Sequence, residues 1–216
     1  MMFSAVLFDL DGTLLDTIAG IAVSMNHVLT GLGLPGHDLE TYKMFVGEGM
    51  EKLVAKSLPA GSPLLRDLPG VVAQYHEEYG RQWPETSEPY PGVMNMLADL
   101  DRRGIRMAIL SNKADDLTQV MVSCLLPGIP FFRVRGARAG EPKKPDPRLA
   151  MGIADDLGIP AIRFVYLGDS AIDMETAVAA GMYPVGVKWG FRSAGELRQS
   201  GAKMLLEKPE DIFRLF

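Results

Sequence analysis

The chain predicts an open, parallel α/β sheet with helices on both faces and an inserted all-helical block. Three observations carry this. Four short apolar runs, at 5–8, 107–110, 164–167 and 184–187, are continuous rather than alternating, as strands buried on both faces of a parallel sheet read. Amphipathic stretches lie between the later runs, and strands alternating with helices imply helices on both faces of one sheet. The interval 16–88 holds helical periodicity and no convincing strand.

In chain order, the first run ends in Asp9-Leu10-Asp11-Gly12-Thr13. Helical patterns follow at 18–32, 38–46, 50–58 and 64–82. Four successive helices are too many for one ordinary crossover between parallel strands. Residues 16–88 are therefore expected to form a helical cap, and 1–15 with 89–216 the core. Gly12-Thr13 on the way out, and Trp83-Pro84 through Tyr90-Pro91-Gly92 on the way back, have the composition of hinges. Val93, Met96, Leu97 and Leu100 then recur at helical spacing and Gly104 closes the helix. The second run leads into Ser111-Asn112-Lys113. Ala150, Ile153, Ala154 and Leu157 repeat the helical spacing, with Asp146 as N-cap, Pro147 at the first helical position and Gly158 closing it. The third run ends in Gly168-Asp169-Ser170.

Bulk composition narrows the function. The 216 residues are 47% hydrophobic and 23% charged, ordinary for a folded protein, with a net charge of −5. That balance does not invite nucleic acid or an acidic membrane surface. The basic clusters Arg102-Arg103 and Arg133/Arg135/Arg138 read as solvated surface. A single cysteine, Cys124, excludes an internal disulfide and a cysteine-based zinc site, and its apolar neighbours suggest a buried, inert thiol. The opening residues lack a basic leader, and no run approaches the ~20 apolar residues of a membrane span. A cytoplasmic protein is expected.

The polar residues that end three of the runs carry the chemistry. Ligands of open α/β sheets bind beyond the carboxyl ends of the strands, so these segments should meet in one crevice. Lys143-Lys144-Pro145-Asp146-Pro147 opens a helix between the second and third. Asp9, Asp11, Asp169 and Asp173 would place four carboxylates in a small volume, and crowding raises at least one pKa. A divalent cation and one lysine would neutralise the remainder and admit a phosphate ester. Oxygen-only donors suit magnesium. Asp9 would be the nucleophile. Asp11 would give a proton to the leaving group and take one from water. Ser111 and Asn112 would bind phosphoryl oxygens, and Lys144 would neutralise developing charge. An EF-hand reading fails: such a loop needs Gly sixth and Glu twelfth, and here Gly is fourth and Gly20 twelfth. Asp169-Ser170-x-x-Asp173 also reads as a helix cap with an acidic first turn.

Asp9/Asp11/Thr13, Ser111, Lys144, and Asp169 with Asp173 together resemble the motifs of the haloacid dehalogenase superfamily, over nearly the whole chain. The resemblance implies a Rossmann-like core with a helical cap, mostly phosphatase activity and a Mg2+ cofactor. It implies metal binding by the Asp9 carboxylate, the Asp11 main-chain carbonyl and Asp169, with Asp173 holding Lys144 or a metal-bound water. Thr13 joins Ser111, Asn112 and Lys144 in the substrate site. Phe45-Val46-Gly47-Glu48-Gly49, Tyr90-Pro91-Gly92-Val93, Gly168-Asp169-Ser170 and Trp189-Gly190-Phe191-Arg192 are similar to the phosphoglycolate phosphatase group. Gly47 is the candidate substrate-facing element of the cap. The expected partner is a small phosphate ester, with no nucleic acid and no membrane, and the protein a monomer or homodimer. A sugar-phosphate mutase shares Asp9 and Asp11, but its relatives carry an acidic residue where Gly168 stands and an arginine roughly where Met50 stands. A non-catalytic phosphate-binding protein on the same fold is the alternative of another class.

Overall fold

The computed structural model describes residues 3–216. Two compact units are present, one made of the chain up to Leu15 together with Pro89–Phe216, the other Asp16–Glu88. The strands are β1 (Ala5–Phe8), β2 (Leu15–Asp16), β3 (Glu88–Pro89), β4 (Arg106–Ala114), β5 (Arg133–Ala137), β6 (Phe164–Gly168), β7 (Tyr183–Val187) and β8 (Met204–Leu206). Six of them form one parallel sheet in the order β5-β4-β1-β6-β7-β8. The pair β2-β3 forms a separate small sheet.

Burial explains why the inner strands were readable. Every residue of β1 and β6 is buried, because each has a strand on either side and helices above and below. Helix α5 (Val93–Arg102) buries the four residues whose spacing predicts it. Helix α7 (Arg148–Leu157) buries Ala150, Ile153 and Ala154 against Leu7, Leu110 and Tyr166 of the sheet, with Leu157 partly buried beside them. Helices α6 (Asp115–Leu125), α8 (Ala171–Ala179) and α9 (Ala194–Gln199) complete this unit.

Several details differ from expectation. Strands β5 and β8 are the two edges of the sheet. β5, with Arg133, Arg135 and Gly136, lacks the continuous apolar run of a strand covered on all sides, and β8 has only the three residues Met204-Leu205-Leu206. The arginines expected as solvated surface are each paired, Arg133 with Asp156, Arg135 with Glu141, and Arg138, just beyond β5, with Asp115; Arg133 and Arg138 are exposed as expected, and Arg135 is partly buried. Pro147, not Asp146, is the N-cap of α7, and Asp146 accepts from Arg148 N at 3.0 Å instead. Cys124 is exposed, since α6 buries the face of Leu117, Thr118, Met121 and Val122.

The second unit contains α1 (Ile18–Gly31), α2 (Leu39–Phe45), α3 (Met50–Ser57) and α4 (Leu68–Thr86). Its interior holds Ile21, Met25, Leu29, Tyr42, Leu53, Val54, Tyr75 and Tyr79. Asp38 caps α2 by accepting from Thr41 N at 2.8 Å. The segment 64–82 is not one helix. A 3-10 turn (Pro63–Asp67) precedes α4, whose first turn takes a proline, where the missing N–H costs nothing. The return segment expected as a hinge, 83–92, begins within α4, which runs through Pro84 to Thr86, and the boundary between the two units falls later in it, between Glu88 and Pro89. No helix among the described residues is long and apolar enough to cross a membrane.

Candidate active site

Asp9 follows the last residue of β1 and Asp169 follows the last residue of β6, its neighbour in the sheet. Adjacent parallel strands of matched register end side by side, which puts the two carboxylates at one rim. Asp9 N donates to Leu167 O at 2.9 Å, extending the ladder by one residue and fixing where its side chain emerges. Asp9, Asp169 and Asp173 offer carboxylate oxygens within 4.8 Å of one another, and all three residues are buried.

One ammonium group holds this cluster together. Lys144 Nζ donates to Asp9 Oδ1 and to Asp173 Oδ1, each at 2.7 Å, and the lysine side chain is 3% exposed. Burial works against the charged lysine, yet Asp173 and Asp9 carry its pKa well above the ordinary value. Its position comes from Asn112: the amide oxygen accepts from Lys144 N at 2.9 Å and the amide nitrogen donates to Lys144 O at 3.0 Å. Asn112 therefore grips the lysine loop with its side chain. Sequence reasoning assigned Asn112 to substrate alone and missed this part.

Asp173 serves two structures at once. Its Oδ2 accepts from Ser170 N at 3.1 Å and from Ser170 Oγ at 2.6 Å, and Ser170 in turn caps α8. Its Oδ1 is left for Lys144. The helix-cap and site readings of this segment are thus both realised, one oxygen each. Gly168 makes room for it: a Cβ there would lie 2.3 Å from Asp173 Cβ.

The segment Ser111-Asn112-Lys113 falls where the pairing of β4 with β5 shifts register between Leu110 and Ala114. Such irregularities re-aim side chains beside sites. Ser111 is buried and its Oγ accepts from Lys113 N at 3.2 Å. Lys113 reaches Asp11, its Nζ lying 3.0 Å from both carboxylate oxygens. The two side chains are 6% and 12% exposed, so this pair is shielded from solvent screening. Lys113 is the site residue the sequence did not reveal, because a lysine two places after a strand-end serine is more often solvated. Gly12 turns the loop at φ +82, a conformation glycine adopts without strain. Thr13 is fully buried, and its hydroxyl has no hydrogen-bond partner among the described residues. Gly47 lies in the other unit, in the turn between α2 and α3, with φ +121.

Charge decides what the cluster can hold. Burial and the Asp173 charge, opposed by Lys144, push the Asp9 carboxyl up to about 7. Asp169 is driven well above the usual carboxylate range by burial, then by Asp173 and Asp9. Three buried carboxylates with one ammonium are short of positive charge. The donor set is all oxygen, which suits a hard divalent cation. The three acids could hold a metal ion.

Comparisons with known proteins identify the family. A family model described as haloacid dehalogenase-like hydrolase matches residues 6–187. A Cupriavidus necator protein named phosphoglycolate phosphatase is 33% identical over 213 residues, covering 97% of this chain and 91% of its own. A Pseudomonas fluorescens protein of the same name is 30% identical over 207 residues, covering 94% and 75%. A crystal structure of a Lactobacillus delbrueckii subsp. bulgaricus protein superposes with a TM-score of 0.90 at 30% identity, covering 98% of this chain and 97% of the other. The chain belongs to the haloacid dehalogenase-like hydrolase family.

Proposed function

We propose that the protein is a magnesium-dependent phosphatase that hydrolyses a small phosphate monoester through an aspartyl-phosphate on Asp9, with 2-phosphoglycolate as the first candidate substrate. The observation that carries this is the Lys144 ammonium, bonded at 2.7 Å to both Asp9 and Asp173, with Asp169 in the same cluster. The substrate assignment rests on the names of the relatives.

Asp9 is the nucleophile: a carboxylate oxygen attacks phosphorus and the bond from phosphorus to the ester oxygen breaks. Asp11 acts in its protonated form, with one oxygen still accepting from Lys113, and gives that proton to the departing alkoxide. It then takes a proton from the water whose oxygen attacks the same phosphorus, the bond to Asp9 breaks, and inorganic phosphate leaves. General acid–base help of this kind is worth about 10²–10⁴ in rate. Lys113 orients the Asp11 carboxyl, and Lys144 steadies Asp9 and the charge on the transferring group. The Ser111 and Thr13 hydroxyls and the Asn112 main chain bind phosphoryl oxygens. The Asp9 carboxylate, the Asp11 carbonyl and Asp169 would hold Mg2+. When bound, the cation supplies positive charge that offsets the acids and polarises the phosphoryl group.

The mutase reading is not favoured. Its acidic side chain before the final Asp would start at Gly168, where even a Cβ would overlap Asp173. The test is a panel of phosphorylated metabolites ranked by kcat/KM with and without Mg2+. Turnover only with Mg2+, highest for 2-phosphoglycolate, is expected, and Asp9→Asn should abolish it while leaving the circular dichroism spectrum unchanged. Measurable affinity for phosphate esters with no turnover would instead identify a binding protein.

A further inference from the structure

The loop after β7 reads Trp189-Gly190-Phe191, and no step of the mechanism above uses it. It nevertheless lies against the site at three points. Phe191 N donates to Asp169 Oδ2 at 2.7 Å. Trp189 Nε1 donates to the main-chain oxygen of Thr13 at 3.0 Å. Gly190 fits without clearance: a Cβ there would lie 2.3 Å from Asp169 Cβ, 2.4 Å from Gly12 O and 2.7 Å from Asp169 Oδ2. The φ of Gly190 is outside the left-handed region, so backbone conformation does not demand a glycine. Close approach does. Gly12 is equally close, since a Cβ there would meet Asp169 Oδ2 at 2.3 Å and the Phe191 ring at 2.9 Å.

Asp169 is therefore packed against two glycine backbones, with one oxygen committed to a main-chain N–H. A hydrogen bond to a carboxylate is stronger than one between neutral groups, and turning the carboxyl plane would break it. Groups that orient a metal ligand without touching the metal tune its affinity. We propose that the 189–191 loop is the positioning element for the cation's carboxylate Asp169, so that residues remote from the cation set its affinity. This rests on the reading of Asp169 as a metal ligand.

Mg2+ affinity, measured by isothermal titration calorimetry on the full chain without substrate, tests it. Gly190→Ala is expected to weaken Mg2+ binding by about 10–100-fold, the usual cost of losing an outer partner of a metal ligand. Trp189→Phe keeps an aromatic ring, deletes the N–H to Thr13, and should also weaken binding beyond titration error. Its metal-free melting temperature should stay near that of the unaltered chain. If Gly190→Ala does not fold, Trp189→Phe decides alone. A folded Trp189→Phe protein with unchanged Mg2+ affinity overturns the proposal. Unchanged affinity in Asp169→Ala is a different failure: it removes the ligand assignment, and this inference with it.

Discussion

Lys144 is the residue on which the charge balance turns. Its single ammonium serves two buried carboxylates, and its pKa is carried up although burial alone would lower it. Lys113 does the corresponding work for Asp11, meeting both oxygens at equal distance and so fixing the plane of the carboxyl. If Asp11 protonates the leaving group, misplacing it should matter only where the leaving group needs a proton. Lys113→Met is therefore expected to lower kcat/KM by about tenfold or more for an alkyl phosphate, within the span of general acid catalysis. For an aryl phosphate with an acidic phenol the loss should be small. Lys113→Arg should restore part of the alkyl activity. Equal losses on both substrates would show that Lys113 acts on binding or folding instead.

Strand ends, a register shift and one helix start build the site. The polar residues after β1 and β6 converge because the two strands are neighbours of matched register. Those of β4 are delivered where its pairing to β5 slips. Helix α8 begins with a reciprocal cap in which Asp173 is both cap partner and Lys144 acceptor. Ser170→Ala removes that cap. A loss of about 1 kcal/mol in urea denaturation is expected, the usual value for a capping hydroxyl. An unchanged midpoint would mean that the Ser170 main-chain N–H and Lys144 hold Asp173 without the hydroxyl. The inner strands and the acids at their ends were legible in the sequence, since double burial writes a continuous apolar run with a sharp polar end. Edge strand β5 was not, because one open side relaxes that pattern and lets Arg133 and Arg135 find acidic partners, and β8 was not, because its apolar run is only three residues long. The grip of Asn112 on Lys144, and of Lys113 on Asp11, were invisible for another reason. Residues 112 and 144, and residues 113 and 11, are brought together only by the fold.

For the whole molecule, the cluster makes stability depend on pH and on the cation. The Asp9 carboxyl sits near 7 in the folded protein against 3.8 in the ordinary state. Between those values the folded form holds a proton that the unfolded chain has released. Its stabilising contribution is full below about 4 and is lost as pH rises toward 7. Asp146, at about 2, and the other acids pulled below their ordinary values are ionised throughout the upper part of this window and do not offset it there. The metal-free protein should be less stable at pH 7 than at pH 5.5, by on the order of 2 kcal/mol at about 1.4 kcal/mol per unit, and so melt at a lower temperature. Saturating Mg2+ should recover the loss at pH 7 and do less at pH 5.5, where the proton competes. A flat profile, or equal rescue at both values, would contradict a cation site built on Asp9.

The most direct measurement is the capture of the covalent intermediate. Protein quenched with acid during turnover and reduced with borohydride would have any aspartyl phosphate converted to homoserine, and peptide mass spectrometry would locate it. Homoserine at position 9, absent without substrate, is the expected result. Turnover with no trapped phosphoryl group on the protein, or homoserine at position 11 or 169, would contradict Asp9 as the nucleophile.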